Sequence, residues 1–171
     1  MKDNFLKNKN FFWIFPLLGG IISLIGLIIP AWYSKTSFKE NLWIVGIIEH
    51  IFWDGSIFEI LPPELFMPSL ITTIFVSISS IMIIGISVLF IKGKKFLVKA
   101  EILWLLIGII QLCALIIYIN VMVTGFYNYA QRTDYSIHNF WTIYNFNFGL
   151  IFPFIGSILS IVGAIIYKMS S

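Results

Sequence analysis

Two histidines and several carboxylates outside the most apolar stretches are the residues best suited to bind a metal ion. His50 and His138 lie far apart in the chain, with carboxylates close to each in sequence: Glu49, Asp54, Glu59 and Asp134. Zinc takes imidazole and carboxylate ligands, but its common sequence signature, two histidines four residues apart as in HExxH, does not occur. We therefore expect no metal and no other cofactor.

The same residues are the only visible basis for catalysis. The chain has no glycine-rich phosphate loop and no nucleophile elbow, which are the motifs that most directly indicate phosphoryl or acyl transfer. A membrane enzyme would need His50 and His138 to converge with the nearby carboxylates. We expect instead that the protein has no catalytic activity.

A polar stripe runs through an otherwise apolar stretch between residues 100 and 124. Its members repeat at alternating spacings of three and four, which places them on one helix face: Glu101, Trp104, Gly108, Gln111, Leu115, Tyr118 and Met122. Glu101 lies near Lys99, which favours an ion pair at the helix start, and Gln111 is typical of a hydrogen bond between membrane helices. The alternative is that Glu101, Gln111 and Tyr118 line the path of a small-molecule or lipid transporter or channel subunit.

The elements that carry these residues are predicted from composition. Apolar residues make up 59% of the chain and charged residues 11%, against roughly 25% charged in soluble domains. A membrane-crossing helix needs about 20 apolar residues, and four such stretches occur, at 11–31, 69–91, 100–124 and 148–167. We predict a single all-α membrane domain of four transmembrane helices, with outer segments at 32–68 and 125–147 and a short loop at 92–99.

The lysines indicate the orientation. With the N-terminus inside, the cytoplasmic side holds eight basic residues (Lys2, Lys7, Lys9, Lys92, Lys94, Lys95, Lys99 and Lys168) and the outer side three (Lys35, Lys39 and Arg132). Because basic residues favour the cytoplasmic side, both termini are predicted to be cytoplasmic, in the plasma membrane. The net charge of +3 is then explained by the bilayer and requires no nucleic-acid partner.

The first outer segment shows a β pattern. The stretch EHIFWDGSIFEI, residues 49–60, places Asp54-Gly55 between β-branched and aromatic residues, which predicts a hairpin turn at that dipeptide. Residues 41–47 predict a further strand, and an interfacial helix over 42–53 is the competing interpretation. We expect a small β-containing cap on the outer ends of the helices.

The first and last apolar stretches share one repeated sequence, called here the repeated phrase. Residues 10–29 and 147–166 are identical at 11 of 20 positions, including the matched pairs Gly19/Gly156, Ser23/Ser160 and Gly26/Gly163. Small residues on one helix face permit close approach in lipid, where apolar surface alone gives little drive for association. We predict that these two faces pack, antiparallel, against each other; an inverted transporter repeat is the alternative.

The outer segments are rich in aromatic side chains, nine of which fall between residues 125 and 148. Such residues form a belt at the lipid head groups, or they anchor a protein partner. Four tryptophans are the candidates for outer-face contact: Trp32, Trp43, Trp53 and Trp141.

The predicted architecture resembles the claudin and peripheral-myelin-protein-like tetraspan superfamily. Trp32, just after the first helix, matches that family's first tryptophan, and Asn41-Leu42-Trp43 matches its Gly-Leu-Trp triplet, with asparagine for glycine. The family's two cysteines have no counterpart, since Cys113 is the only cysteine of the chain. The resemblance implies a structural or interaction component of the cell membrane, whose partners are the lipid bilayer and a second copy or another membrane protein.

Overall fold

The structure is a computed structural model that describes residues 11–34, 39–52, 55–94, 98–132 and 140–170. Its helices are α1 (Ile14–Leu27), α2 (Pro63–Ile91), α3 (Ala100–Arg132), α4 (Phe140–Ile143) and α5 (Phe148–Met169). Its strands are β1 (Trp32–Ser34), β2 (Lys39–Leu42), β3 (Ile47–Phe52), β4 (Gly55–Ile60) and β5 (Tyr144–Phe146).

Three helices, α2, α3 and α5, are long and apolar enough to cross a membrane. The first predicted span is longer than the helix found there, since α1 has 14 residues and rises about 21 Å, less than the roughly 30 Å of a hydrocarbon core. α2 begins at Pro63, before the predicted residue 69, because a proline at the first helical position needs no hydrogen-bond partner. α3 continues beyond the predicted residue 124 to Arg132.

Helices α1, α2, α3 and α5 pack in a closed square. α1 contacts α2 and α5, and α3 contacts the same two helices. Strands β1 to β4 lie between α1 and α2 in the chain, and β5 directly precedes α5. The sheet therefore lies at the end of the helices where α1 and α3 finish. Asn147 caps α5 by accepting a hydrogen bond from the backbone N–H of Phe148, as expected for a helix start.

The strands form one five-stranded antiparallel sheet in the order β4-β3-β2-β1-β5. The predicted hairpin is confirmed, because β3 and β4 pair from Ile47 with Ile60 to Phe52 with Gly55. Gly55, which the prediction places in the turn, belongs to β4, and Asp54 lies outside the described residues. The competing interfacial helix over 42–53 is wrong.

The strand predicted over 41–47 is interrupted. β2 ends at Leu42, and the chain reverses before β3 begins at Ile47. Gly46 adopts a φ of 86°, and its N–H donates to the carbonyl of Trp43 over 3.0 Å. Because this backbone conformation favours glycine, Gly46 permits the reversal that joins the two strands.

The helices bury small polar residues and expose large apolar ones. Buried serine hydroxyls bond back to their own helix, as Ser80 Oγ donates to the Val76 carbonyl and Ser87 Oγ to the Ile83 carbonyl. Isoleucine, leucine, methionine and phenylalanine side chains instead cover the outside of the helices. This pattern is typical of proteins whose solvent is lipid.

Candidate functional site

Gln111 of α3 is fully buried, and its side chain is hydrogen-bonded to α1. Its Nε2 donates to Ser23 Oγ over 2.8 Å, and Ser23 Oγ donates in turn to the Gly19 carbonyl over 2.9 Å. Gln111 Oε1 has no hydrogen-bond partner among the described residues. The amide therefore bridges α3 and α1 through one of its two N–H donors, with its oxygen not used.

The three polar residues of the predicted seam do not meet at one point. Glu101 lies in the first turn of α3, at the end of the helices away from the sheet. Tyr118, near the sheet, accepts a hydrogen bond at its hydroxyl from Trp32 Nε1 over 3.3 Å. Glu101, Gln111 and Tyr118 are thus three separate sites along α3.

We expect Gln111→Leu to lower the stability of the protein by only about 0.6 kcal/mol, the usual value of a hydrogen bond between membrane helices. The substitution removes the bond to Ser23 but also removes the unpartnered Oε1. Thermal unfolding in detergent measures the change, and a double-mutant cycle with Ser23→Ala isolates the bond itself. A loss of several kcal/mol would contradict this account of Gln111.

The two matched small-residue faces lie against each other. A Cβ atom built at Gly19 would meet the Gly156 carbonyl, and a Cβ atom at Gly156 would meet the Gly19 carbonyl and Ser23 Oγ. The Ser160 hydroxyl, 2.9 Å from a Cβ atom built at Gly19, donates to the Gly156 carbonyl over 3.0 Å. The backbones of α1 and α5 therefore touch at this point.

The two halves of the contact between α1 and α5 are related by an approximate two-fold axis. A Cβ atom at Gly26 would lie 2.5 Å from Pro153 Cδ, and one at Gly163 would lie 2.5 Å from Pro16 Cδ. Gly26 matches Gly163 in the repeated phrase, and Pro16 matches Pro153. The repeat thus supplies both halves of one antiparallel interface, with Gly19 and Gly156 at its centre.

Trp32 links the sheet to the helices. It is fully buried, and its ring contacts those of Tyr118, Phe140, Trp141 and Phe146 at centroid distances of 4.8 to 6.5 Å. The prediction that Trp32 contacts a partner at the outer face is wrong, because this cluster encloses the side chain completely.

The other predicted outer tryptophans differ in exposure. Trp141 is 38% exposed, and Trp43 is half-buried, with an indole N–H that has no partner among the described residues. Trp53 and His138 lie outside the described residues. In the part of the chain that the structure describes, no group of three or more histidine, cysteine or acidic residues is arranged to hold a metal ion.

A polar network on the sheet was missed by the sequence analysis. Tyr144 donates its hydroxyl proton to Glu40 over 2.7 Å, and the other oxygen of Glu40 lies 3.1 Å from His50 Nδ1. Burial, and then the hydrogen bond and the charge of Glu40, raise the pKa of Tyr144 well above its ordinary value. The hydroxyl therefore stays protonated at neutral pH, and its contribution to stability is lost only as the pH rises above about 10.

Strand β4 forms one edge of the sheet and is exposed along its whole length. Ile57, Phe58 and Ile60 are 54%, 60% and 71% exposed. Because successive residues of a strand point to opposite faces, both faces of this edge strand are apolar. The pairing groups on its open edge have no strand partner in the described part of the chain.

We compared the chain with models of protein families and with curated proteins. No family model matches it, and no curated protein matches it.

Proposed function

We propose that this chain is a four-span integral protein of the plasma membrane, with both termini in the cytoplasm and the sheet as an outer cap. α1 would cross the membrane with α2, α3 and α5, because it packs along α5, and its outward side chains are apolar: Leu18, Ile21 and Ile25. Apolar residues flank the short helix at Phe11 and at Ile28 and Ile29, which supplies the remaining length.

The function we propose is that of a structural or interaction component, which associates with a second copy or with another membrane protein. The observation that carries this proposal is the open β4 edge. Unpaired edge strands are templates for pairing with another chain, and natural proteins usually protect them with charges, prolines or short length. β4 carries one such charge, Glu59, but it is six residues long and exposes three large apolar side chains.

We also propose membership in the claudin and peripheral-myelin-protein-like superfamily. Leu42, of the triplet Asn41-Leu42-Trp43, pairs with Trp32 across β1 and β2. The two motif tryptophans thus lie in and just after neighbouring strands of one sheet. This arrangement supports an architecture shared with that superfamily, in which Trp32 packs the sheet of the first outer segment against the helices.

We expect Phe58→Lys combined with Ile60→Lys to weaken the association at least tenfold. The reason is that truncation of a residue that anchors an interface costs about 2 kcal/mol of binding free energy. The measurement is the mass of the particle extracted from native membranes in mild detergent, compared with the 19.7 kDa of one chain. Tyr33→Lys, at another exposed aromatic of the same sheet, is the matched control. A wild-type particle that contains one copy and no other protein would contradict the proposal.

The alternative is a small-molecule or lipid carrier that uses the seam of α3. Gln111 Oε1 and Trp104 Nε1, both buried on this face and without a hydrogen-bond partner among the residues that the structure describes, favour it. A carrier requires a water-accessible path to Gln111, whereas Gln111 is fully buried and bonded to Ser23. Transport that is lost in Gln111→Leu with the fold intact would establish the carrier and displace the interaction proposal.

A further inference from the structure

A groove lies between α3 and α5 at the end of the helices opposite the sheet. Its volume is about 470 Å³, and its walls include Ile102 and Leu105 of α3 and Ile165 and Met169 of α5. The volume falls within the range of roughly 300 to 1,000 Å³ that is usual for small-molecule sites. Ala164, a small residue, lines the groove and gives it depth.

Two opposite charges also line this groove, Glu101 on α3 and Lys168 on α5. Within the described part of the chain they form no ion pair with each other. The groove therefore presents a carboxylate and an ammonium group beside apolar walls. This charge pattern is complementary to a zwitterion attached to a hydrocarbon chain.

We propose that the groove binds one phosphatidylethanolamine molecule from the leaflet on this side of the membrane. Its phosphate lies at the Lys168 ammonium, its primary amine donates to the Glu101 carboxylate, and an acyl chain follows Ile102, Leu105 and Ile165. The proposal rests on the membrane placement proposed above but not on the β4 interface.

The same charges discriminate between lipid head groups. Phosphatidylcholine carries a quaternary amine without N–H groups, so it cannot donate a hydrogen bond to Glu101. Phosphatidylglycerol carries the same phosphate but has no ammonium group, so it offers the Glu101 carboxylate only neutral hydroxyl donors and no opposite charge. Phosphatidylethanolamine satisfies both side chains.

The test is native mass spectrometry of the full chain released from vesicles that contain equal amounts of these three lipids. We expect the wild-type chain to retain phosphatidylethanolamine over phosphatidylcholine by about fivefold, the effect of one partly exposed charged pair. Glu101→Gln should reduce this preference to near one, and Lys168→Gln should reduce retention of every phospholipid. Lys92→Gln, a charge change at the same end of the helices but outside the groove lining, should have no effect.

Equal retention of the lipids by the wild-type chain would overturn the proposal, as would a preference that survives Glu101→Gln and Lys168→Gln. Stronger retention of phosphatidylglycerol would also overturn it, because recognition would then rest on Lys168 alone. A chain that does not insert into vesicles would contradict the membrane placement itself. Flotation of the protein with the vesicles detects that outcome separately.

Discussion

Gly156→Leu should prevent α1 and α5 from packing and lower the stability of the protein by about 3 kcal/mol, the upper range for overpacked sites. The added Cβ atom would meet the backbone carbonyl of Gly19 and the Ser23 hydroxyl. Backbone on a neighbouring helix cannot rotate away as a side chain can, so the helices must separate. The added atom also displaces the Ser23 hydroxyl, which accepts the hydrogen bond from Gln111.

The measurement is the thermal unfolding midpoint in detergent. Gly85→Leu is the matched control, since Gly85 lies in α2 and a Cβ atom there would meet nothing within 4 Å. Gly26→Leu and Gly163→Leu should each destabilise the protein, by similar amounts, because both meet a proline ring in equivalent contacts. If Gly156→Leu unfolds at the same temperature as Gly85→Leu, the described contact between α1 and α5 is wrong.

Trp32→Ala should destabilise the protein by about 3 to 5 kcal/mol, as is usual when a buried tryptophan is truncated. The substitution removes ring contacts to Tyr118, Phe140, Trp141 and Phe146, and so releases β1 and β5 from the helices. Trp32→Phe should cost less, because it keeps an aromatic ring but loses the N–H that donates to Tyr118.

Protease resistance of the sheet together with thermal unfolding reports this change. Tyr33→Ala is the control, because Tyr33 is the next residue of the same strand and is 41% exposed. Equal stability of the Trp32→Ala and Tyr33→Ala variants would contradict the role of Trp32 as the link between sheet and helices.

Features that depend on local pattern could be predicted from the sequence. The apolar stretches around α2, α3 and α5 predict long membrane-compatible helices, because hydropathy alone determines that property. The Asp54-Gly55 dipeptide between β-branched and aromatic residues predicts the β3–β4 hairpin. The repeated phrase marks small residues that lie at the contact between α1 and α5.

Features that depend on long-range contact could not be predicted. The pairing of β1 with β5 joins residues more than a hundred positions apart, and it determines both the burial of Trp32 and the approach of Tyr144 to Glu40. The sequence marks Trp32 as aromatic and near a helix end, but it does not say which neighbours enclose it. The reversal at Gly46 was missed because Trp43, Ile44 and Val45 have strong strand propensity, which the turn overrides.

The membrane placement of α1 is tested most directly by cysteine labelling in intact cells. In a Cys113→Ser background, which removes the only native thiol, single cysteines replace Lys7, Ser56 and Lys94. Four spans predict that an impermeant maleimide labels Ser56→Cys in intact cells but labels Lys7→Cys and Lys94→Cys only after permeabilisation. Labelling of Lys7→Cys together with Ser56→Cys in intact cells would show that α1 does not cross the membrane and would contradict the four-span account.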